Sequence, residues 1–308
     1  MRVARLANNP IITRDVAVAL ERDGRNVNGP SLIRVPAWVS NPLARYYLYF
    51  AHHDGTSIRL ALADALDGPW RIHEPGTLQL DQTPFNRHIA SPDAHVDEAG
   101  KRIVMYYHGC CNKDPAIPWP QYSCVATSCD GVSFESRREP LCQSYLRMFT
   151  WRGRHYGIAM PGELYRSADG LTNFEARPGV LRQVLSETGR RPGDHPVRPR
   201  HFAVQVRGDT LWVFFSRIGD CPERILLTRI ALEEDWLRWC PAEPVTLLEP
   251  EQPWEGVDAP LQPSAGGLSY DRVRQVRDPA IYEEAGRTWL LYTIAGEAGL
   301  AIAELHDT

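Results

Sequence analysis

The chain has 308 residues, a formal net charge of −4 and 43% hydrophobic residues, enough for one large core or for two average domains. It has no basic block and no stretch approaching the length of a membrane helix, so we expect no nucleic-acid partner and no membrane. Its start lacks the apolar run of a signal peptide, and its seven cysteines lack paired zinc-type spacing; we therefore expect a cytoplasmic protein with reduced thiols.

The first recurring unit spans residues 26–75. It contains an aliphatic strand (31–35), an aromatic strand (45–51), a third strand (57–63) and the hairpin signal Asp67-Gly68-Pro69-Trp70. Short alternating runs bounded by Gly, Pro and Asp are typical of half-buried antiparallel strands. The unit therefore predicts one four-stranded antiparallel sheet, about the length of a propeller blade.

Four further units repeat this order. They span residues 89–140, 145–180, 200–250 and 276–308. Two units contain an Asp-Gly turn followed by an aromatic residue, at Asp130-Gly131 and Asp169-Gly170, which indicates hairpins.

Two segments depart from the repeat. In the fourth unit, residues 232–239 predict a helical turn in place of the closing hairpin, and residues 241–270 form the longest irregular connection. Before the first unit, residues 11–13 or 16–20 can supply an outer strand that pairs with the last sheet.

The fixed order of the units predicts an all-β fold, a five-bladed β-propeller forming a single domain over residues 1–308. A β-sandwich is the alternative, but its strands would not recur in the same order five times.

The openings of the five first strands carry polar side chains. In a propeller these strands line the axis, so their first residues converge at one mouth of the funnel. They are Asn26, Asn28, Asp93, His95, Tyr145, Arg147, Arg200, His201, Arg277 and Asp278. The ends of the second strands should reach the same rim with His52, His53, Asp54, His108, Glu163, Ser216, Arg217 and Glu297. A concave site with convergent polar groups is a candidate active site.

The blade pattern resembles the furanosidase superfamily of glycosidases, and glycoside hydrolase family 43 in particular. The resemblance is carried by Ser91-Pro92-Asp93, by Arg277-Asp278-Pro279, and by Gly-Lys or Gly-Arg before tyrosine-rich second strands. It implies three funnel carboxylates: a base Asp in the first blade, an orienting Asp in the second and an acid Glu in the third. Paired carboxylates suit glycoside hydrolysis because one protonates the leaving oxygen while the other activates water.

This chain departs from that pattern at two of the three positions. Asp93 matches the orienting Asp, but the first-blade position holds Asn28, whose amide cannot act as a base. The third blade opens on Tyr145, and Glu163 follows in the next loop. Asp278, at the opening of the fifth blade, is a substitute carboxylate, and histidines can act as acid or base near neutral pH.

We therefore predict a catalytic group and a substrate-binding group. The catalytic residues are Asp93, Asp278, Glu163 and His95. The substrate-binding residues are Asn28, His53, Asp54, His108, Trp119, Arg147, His201, Arg217 and Arg277. Structural alternatives stay open, because an Asp-Pro pair at a strand start also caps turns and a loop glutamate can be a solvated charge.

The predicted function is a glycoside hydrolase-like enzyme that cleaves a small glycoside or oligosaccharide by carboxylate and histidine acid–base catalysis, with no required cofactor. One alternative is a catalytically silent sugar-binding propeller. Another is a metal-assisted lyase or hydrolase with a divalent ion in the funnel, held by three of His53, Asp93, His95, His108 and His201. No feature of the sequence sets an oligomeric state.

Overall fold

The computed structural model describes residues 1–14, 26–53, 55–111, 120–179 and 197–307. A short lead contains β1 (Arg2–Arg5) and β2 (Ile12–Thr13). Blade one consists of β3 (Asn28–Arg34), β4 (Tyr46–Ala51), β5 (Arg59–Ala63) and β6 (Arg71–His73). Blade two consists of β7 (His88–Asp97), β8 (Arg102–Cys110) and β9 (Tyr122–Ser128), with β10 (Glu135–Ser136) and β11 (Cys142–Gln143) both paired to β9.

The remaining three blades keep the same up-and-down order. Blade three consists of β12 (Arg147–Trp151), β13 (Arg154–Ala159), β14 (Glu163–Ser167) and β15 (Glu175–Arg177). Blade four consists of β16 (Arg198–Arg207), β17 (Thr210–Ile218), β18 (Ile225–Ala231) and β19 (Val245–Leu248). Blade five consists of β20 (Arg277–Glu284), β21 (Arg287–Ile294) and β22 (Gly299–His306), and β1 and β2 both pair with β22. In the described ranges, short 3-10 helices lie at Leu80–Gln82, Trp236–Arg238 and Pro253–Glu255.

The core is divided into five clusters, and each lies between two adjacent blades. In β4, Tyr47 packs toward blade two and Leu48 toward blade five, because successive side chains of a strand point to opposite faces. Both are buried, and burying such a side chain stabilises the fold by about 1.5–3 kcal/mol. The clusters follow one another around a closed ring, so the predicted five-bladed β-propeller is confirmed.

Two of the predicted Asp-Gly turns are hydrogen-bonded to the preceding blade. Asp130 Oδ1 accepts hydrogen bonds from two backbone N–H groups of its own turn, at 2.7 Å each. The backbone carbonyl of Gly131, in the same turn, accepts a hydrogen bond from the Tyr49 hydroxyl of blade one at 2.8 Å. The turn at Gly170 binds Tyr106 of blade two in the same way, also at 2.8 Å. The turn chemistry read from the sequence thus also orients each blade against the next.

Several strand bounds differ from the prediction. β7 begins at His88 and β16 at Arg198, earlier than expected, because polar and proline residues at these starts obscure the apolar pattern. The predicted irregular stretch 241–270 contains β19, which is the fourth strand of blade four. The lead closes the last sheet as expected through residues 11–13, whereas residues 16–20 lie outside the described ranges. None of the helices in the described ranges has the length and apolar character needed to span a membrane.

Candidate functional site

All five inner strands open with the same backbone feature. One residue per blade takes a left-handed conformation, with φ between 49° and 61°: Gly29, Ser91, Tyr145, His201 and Asp278. In four blades the strand register skips at this point, which marks a bulge. Non-glycine residues at positive φ cost about 1–3 kcal/mol and cluster at functional sites. Four non-glycine side chains in this conformation, one from each of four blades, therefore mark the funnel end as the candidate active site.

This common feature corrects the register that the sequence suggested. Asp278 and Ser91 occupy equivalent positions, whereas Asp93 lies two residues further along β7, past the bulge. In blade one the equivalent of Asp278 is Gly29, not Asn28. A bulge inserts one residue, so the side chains that follow it point to the opposite face of the sheet. The alternation of polar and apolar residues in the sequence does not reveal that change.

Asp278 and His201 form a buried pair between blades four and five. Asp278 Oδ1 lies 3.1 Å from His201 Nδ1, and Asp278 Oδ2 accepts a hydrogen bond from the Thr293 hydroxyl at 3.2 Å. The contact has an ion-pair distance, but His201 Nδ1 makes no hydrogen bond of acceptable geometry in this structure. Burial, followed by the charge of Glu297, raises the pKa of Asp278 to about 6. Burial and the cations Arg200 and Arg277 hold the pKa of His201 well below its ordinary value.

Glu223 fastens the strands that carry this pair. Its carboxylate accepts hydrogen bonds from Arg200 Nε at 2.9 Å and Nη2 at 2.5 Å, and from the Ser216 hydroxyl at 2.8 Å. Its Oε2 also lies 3.5 Å from Arg277 Nε. Burial raises the pKa of Glu223, but the two guanidinium groups outweigh burial and hold it below its ordinary value. Since Arg200 and Arg277 directly precede His201 and Asp278, this clamp sets the distance between the pair.

Glu297 gathers the polar groups of blades one and five. It accepts a hydrogen bond from the Asn26 amide, and lies 3.2 Å from Arg277 Nη1 and 3.6 Å from His53 Nδ1. Asn28 Nδ2 donates to Asn26 at 2.8 Å and lies 3.5 Å from Glu297. Burial raises the pKa of Glu297, but contacts with His53, Arg277 and Asn26 bring it down to about 2. Glu297 is therefore the ionised partner in this network, and its charge helps to keep Asp278 protonated.

A pocket of about 520 Å³ opens beside this network. The charged and ring-bearing residues in its wall are His53, Tyr145, Glu163, Arg198, Arg200 and His201. Glu163 is 6% exposed, and its Oε2 accepts a hydrogen bond from the backbone N–H of Gly179 at 2.7 Å, which fixes the carboxylate in the wall. The pocket therefore presents a carboxylate from blade three and a histidine from blade four that is backed by a second carboxylate.

A row of rings lines the funnel next to the pocket. The centroid of Tyr145 lies 4.3 Å from that of His108 and 4.9 Å from that of His201. His88 continues the row, with its centroid 6.0 Å from that of His108. Burial, then the nearby His88 and His53, hold the pKa of His108 well below its ordinary value. Neutral rings of this kind provide apolar faces beside polar groups, as sugar-binding surfaces require.

Asp93, His95 and Arg147 lie further along the axis, around a narrow cavity of about 100 Å³. Asp93 Oδ2 lies 2.8 Å from His95 Nε2 and accepts the Met148 backbone N–H at 2.9 Å. Arg147 donates to the carbonyls of Ser91 and Phe202, at 3.0 Å each. None of the three lines the larger pocket. The predicted set is thus divided between two levels of the funnel.

The remaining predicted residues have separate placements. Arg217 pairs with Asp220 at 3.2 Å and lies outside the pocket wall. Asp54 and Trp119 fall outside the described residues. Within the described ranges, no group of three or more His, Cys, Asp or Glu side chains is arranged to hold a metal ion.

Sequence reasoning missed Glu223 and Arg198, and it named Glu297 only as a rim residue. Glu223 and Glu297 lie in the same connection of adjacent blades, between the second and third strands. A glutamate recurring in that connection is the signal that would have identified both. Arg198 precedes Pro199, and this proline obscured the true start of β16.

The ring of five blades around a polar funnel is a fold that solved sugar-cleaving enzymes share. The fold is similar to an exo-1,5-α-L-arabinanase from a bovine ruminal metagenomic library, with TM-score 0.60 and 13% identity, covering 92% of this chain and 94% of that one. It is also similar to CoXyl43, a family 43 β-xylosidase/α-arabinofuranosidase from a compost microbial metagenome, with TM-score 0.59, 12% identity and 92% of each chain covered. The Bombyx mori family 32 β-fructofuranosidase BmSUC1 matches with TM-score 0.56 and 16% identity over 91% of this chain and 60% of its own. The chain thus has the five-bladed fold of family 43.

The chain belongs to the same family as the uncharacterized protein R118 of Acanthamoeba polyphaga mimivirus. The two are 34% identical over 323 residues, which cover 98% of this chain and 90% of the viral protein. No protein-family model matches the chain.

Proposed function

We propose that the protein is a glycoside hydrolase that cleaves a small glycoside or oligosaccharide bound in the 520 Å³ pocket. One observation carries this proposal: Asp278, whose pKa is about 6, backs His201 in the wall of a pocket that also presents Glu163. Perturbed carboxyl groups beside a cleft are typical of acid–base sites. The similarity of the fold to sugar-cleaving propellers, one of them in complex with xylotriose, supports the same class of ligand.

The protonation states assign the acid role to Asp278 and His201 and the base role to Glu163. Below pH 6 Asp278 is protonated, and in the substrate complex it donates this proton to His201 Nδ1, a contact that lacks hydrogen-bond geometry in the free protein and must tighten when substrate binds. The other ring nitrogen, Nε2, is then the N–H donor to the substrate. As the glycosidic bond breaks, His201 gives the Nε2 proton to the leaving oxygen and takes the Asp278 proton at Nδ1. Glu163 accepts a proton from the attacking water. Asp278 then regains a proton from solvent as Glu163 loses one.

The test is hydrolysis of chromogenic α-L-arabinofuranoside, β-D-xyloside and β-D-fructofuranoside substrates. We expect turnover on at least one, and a loss of about 10²–10⁴-fold in Glu163→Gln, since removing an acid or base has that effect. Glu243→Gln is the matched control, because Glu243 is exposed and outside the pocket. Sugar binding without product release would instead indicate the silent sugar-binding alternative.

A further inference from the structure

One corner of the pocket is suited to an anion. Arg198, at the start of β16, lines the pocket and is exposed, and no carboxylate of the described residues pairs with it. The pocket's other arginine, Arg200, is already paired with Glu223 through two hydrogen bonds. Among the described residues of this wall, Arg198 is therefore the arginine available to a ligand, and a guanidinium group binds carboxylate and phosphate oxygens in bidentate fashion.

Two glycines complete the corner. Gly266 and Gly267 line the pocket, and a Cβ added at Gly266 would lie 3.7 Å from Arg198 Nη2. Among the described residues, neither backbone N–H donates a hydrogen bond to another backbone group, and a Cβ on Gly267 would meet nothing within 4 Å. The corner thus contains a guanidinium group and two backbone N–H groups without a backbone partner, with open space at Gly267 and ordinary contacts to Ile218 and Arg198 at Gly266. Backbone N–H groups in such an exposed turn bind anionic oxygens.

The carboxylate of the same wall lies elsewhere. Glu163 belongs to blade three, whereas Arg198 belongs to blade four and Gly266 to the connection that follows it. A ligand that placed its negative group against Glu163 would be repelled, so the charge distribution favours one orientation.

We propose that the natural ligand is an anionic sugar, whose carboxylate or phosphate is bound by Arg198 and the N–H groups of Gly266 and Gly267. This inference rests on the proposed function for the pocket and for the sugar, and adds the charge of the substrate. A uronic acid and a sugar phosphate share the required chemistry.

Binding measured by calorimetry tests the proposal without relying on turnover. The probes are D-glucuronate and D-glucose 6-phosphate, each compared with D-glucose, at low and at high salt. We expect at least one anionic probe to bind more tightly than glucose, with an affinity that falls as salt rises. In Arg198→Gln the affinity for that probe should fall about 10- to 100-fold, as expected for a lost charged hydrogen bond, while the affinity for glucose stays the same.

The control is Arg238→Gln, which removes the same charge from an exposed arginine outside the pocket and should leave all affinities unchanged. The proposal is overturned if neither anion binds more tightly than glucose, or if Arg198→Gln keeps the preference. A preference for anions without any hydrolysis of an anionic glycoside would overturn the proposed hydrolase and leave this inference standing. Hydrolysis of neutral glycosides without such a preference would do the reverse.

Discussion

Asp278→Asn should make the protein more stable and less active. Asp278 is 3% exposed, and its pKa of about 6 lies above the ordinary 3.8, so the fold disfavours its ionised form. The resulting cost to stability is absent below pH 3.8, grows as the pH rises, and is complete above pH 6. The gap between the two values, at about 1.36 kcal/mol per pKa unit, gives a cost of about 3 kcal/mol.

Asparagine resembles the protonated aspartic acid in shape and hydrogen bonding. Its oxygen can accept the Thr293 hydroxyl, and its amide nitrogen takes the place of the protonated oxygen that faces His201 Nδ1. We therefore expect Asp278→Asn to raise the free energy of unfolding by up to about 3 kcal/mol at pH 8 and by much less at pH 4.5, as measured by urea denaturation at both pH values. Turnover should fall by about 10²–10⁴-fold because the amide holds no transferable proton. In the wild type, turnover should decline above pH 6 as Asp278 ionises.

Asp67→Asn, at an exposed turn outside the pocket, is the matched control and should change neither quantity. The reasoning is refuted if Asp278→Asn changes stability equally at both pH values, since the ionised carboxyl then carries no special cost. It is also refuted if the variant keeps wild-type turnover while gaining stability, because the cost would then serve no catalytic purpose.

Two further variants test the supporting network. Burial raises the pKa of Asp93, but His95 and its other contacts bring it below its ordinary value, while the pKa of His95 is raised. The stabilisation from this pair is lost below pH 3.8 as Asp93 is protonated, and it also fades above pH 6.5 as His95 loses its proton. Asp93→Asn should therefore lower the free energy of unfolding most between these two pH values, as measured by urea denaturation at several pH values. A loss of stability independent of pH would contradict this. Glu223→Gln should lower the free energy of unfolding by about 3–5 kcal/mol in the same assay, because Arg200 and Arg277 lose a shared buried counter-charge. An unchanged free energy of unfolding would show that Glu223 is not needed for stability.

The fold could be predicted because its signals are local. Asp130 and Asp169 lie in turns whose backbone donors are two and three residues away, so the sequence alone indicates the hairpins. The aromatic second strands are recognisable for the same reason, since each is buried on both faces between two neighbouring blades. In β4 all six residues are buried, which is why that strand reads as a continuous apolar run.

The candidate site could be predicted only in outline. His201 and Asp278 were expected at one funnel mouth, but their pairing joins residues far apart in the chain and depends on the left-handed turn at both positions. Asp93 and His95 lie past the bulge and outside the pocket, although both were predicted to be catalytic because they open the inner strand of blade two. Glu223 was missed because its contacts with two arginines on separate strands appear only in the folded chain, and its recurrence with Glu297 at equivalent connections was overlooked.

Asn28 occupies the position where the resemblance to family 43 implies a base, so Asn28→Asp would be expected to restore that base. The contacts of Asn28 predict the opposite result for this substitution. Asn28 Nδ2 donates to Asn26 Oδ1 at 2.8 Å and lies 3.5 Å from the Glu297 carboxylate. An ionised aspartate would replace these donor contacts with facing acceptors and like charge, at a cost of about 1–3 kcal/mol for the lost hydrogen bond alone.

We therefore expect Asn28→Asp to be destabilised, increasingly so as the pH rises, and to gain no hydrolytic activity. The position equivalent to Asp278 cannot supply the base either, since a Cβ at Gly29 would lie 2.9 Å from the Ser91 Cα. Asn28→Ser, which lacks the added charge, separates the loss of the amide from the like-charge repulsion in urea denaturation at pH 5 and 8. Faster hydrolysis by Asn28→Asp at wild-type stability would instead identify position 28 as a dormant base. This funnel would then be a weakened copy of the family 43 site rather than one rebuilt around Asp278 and His201.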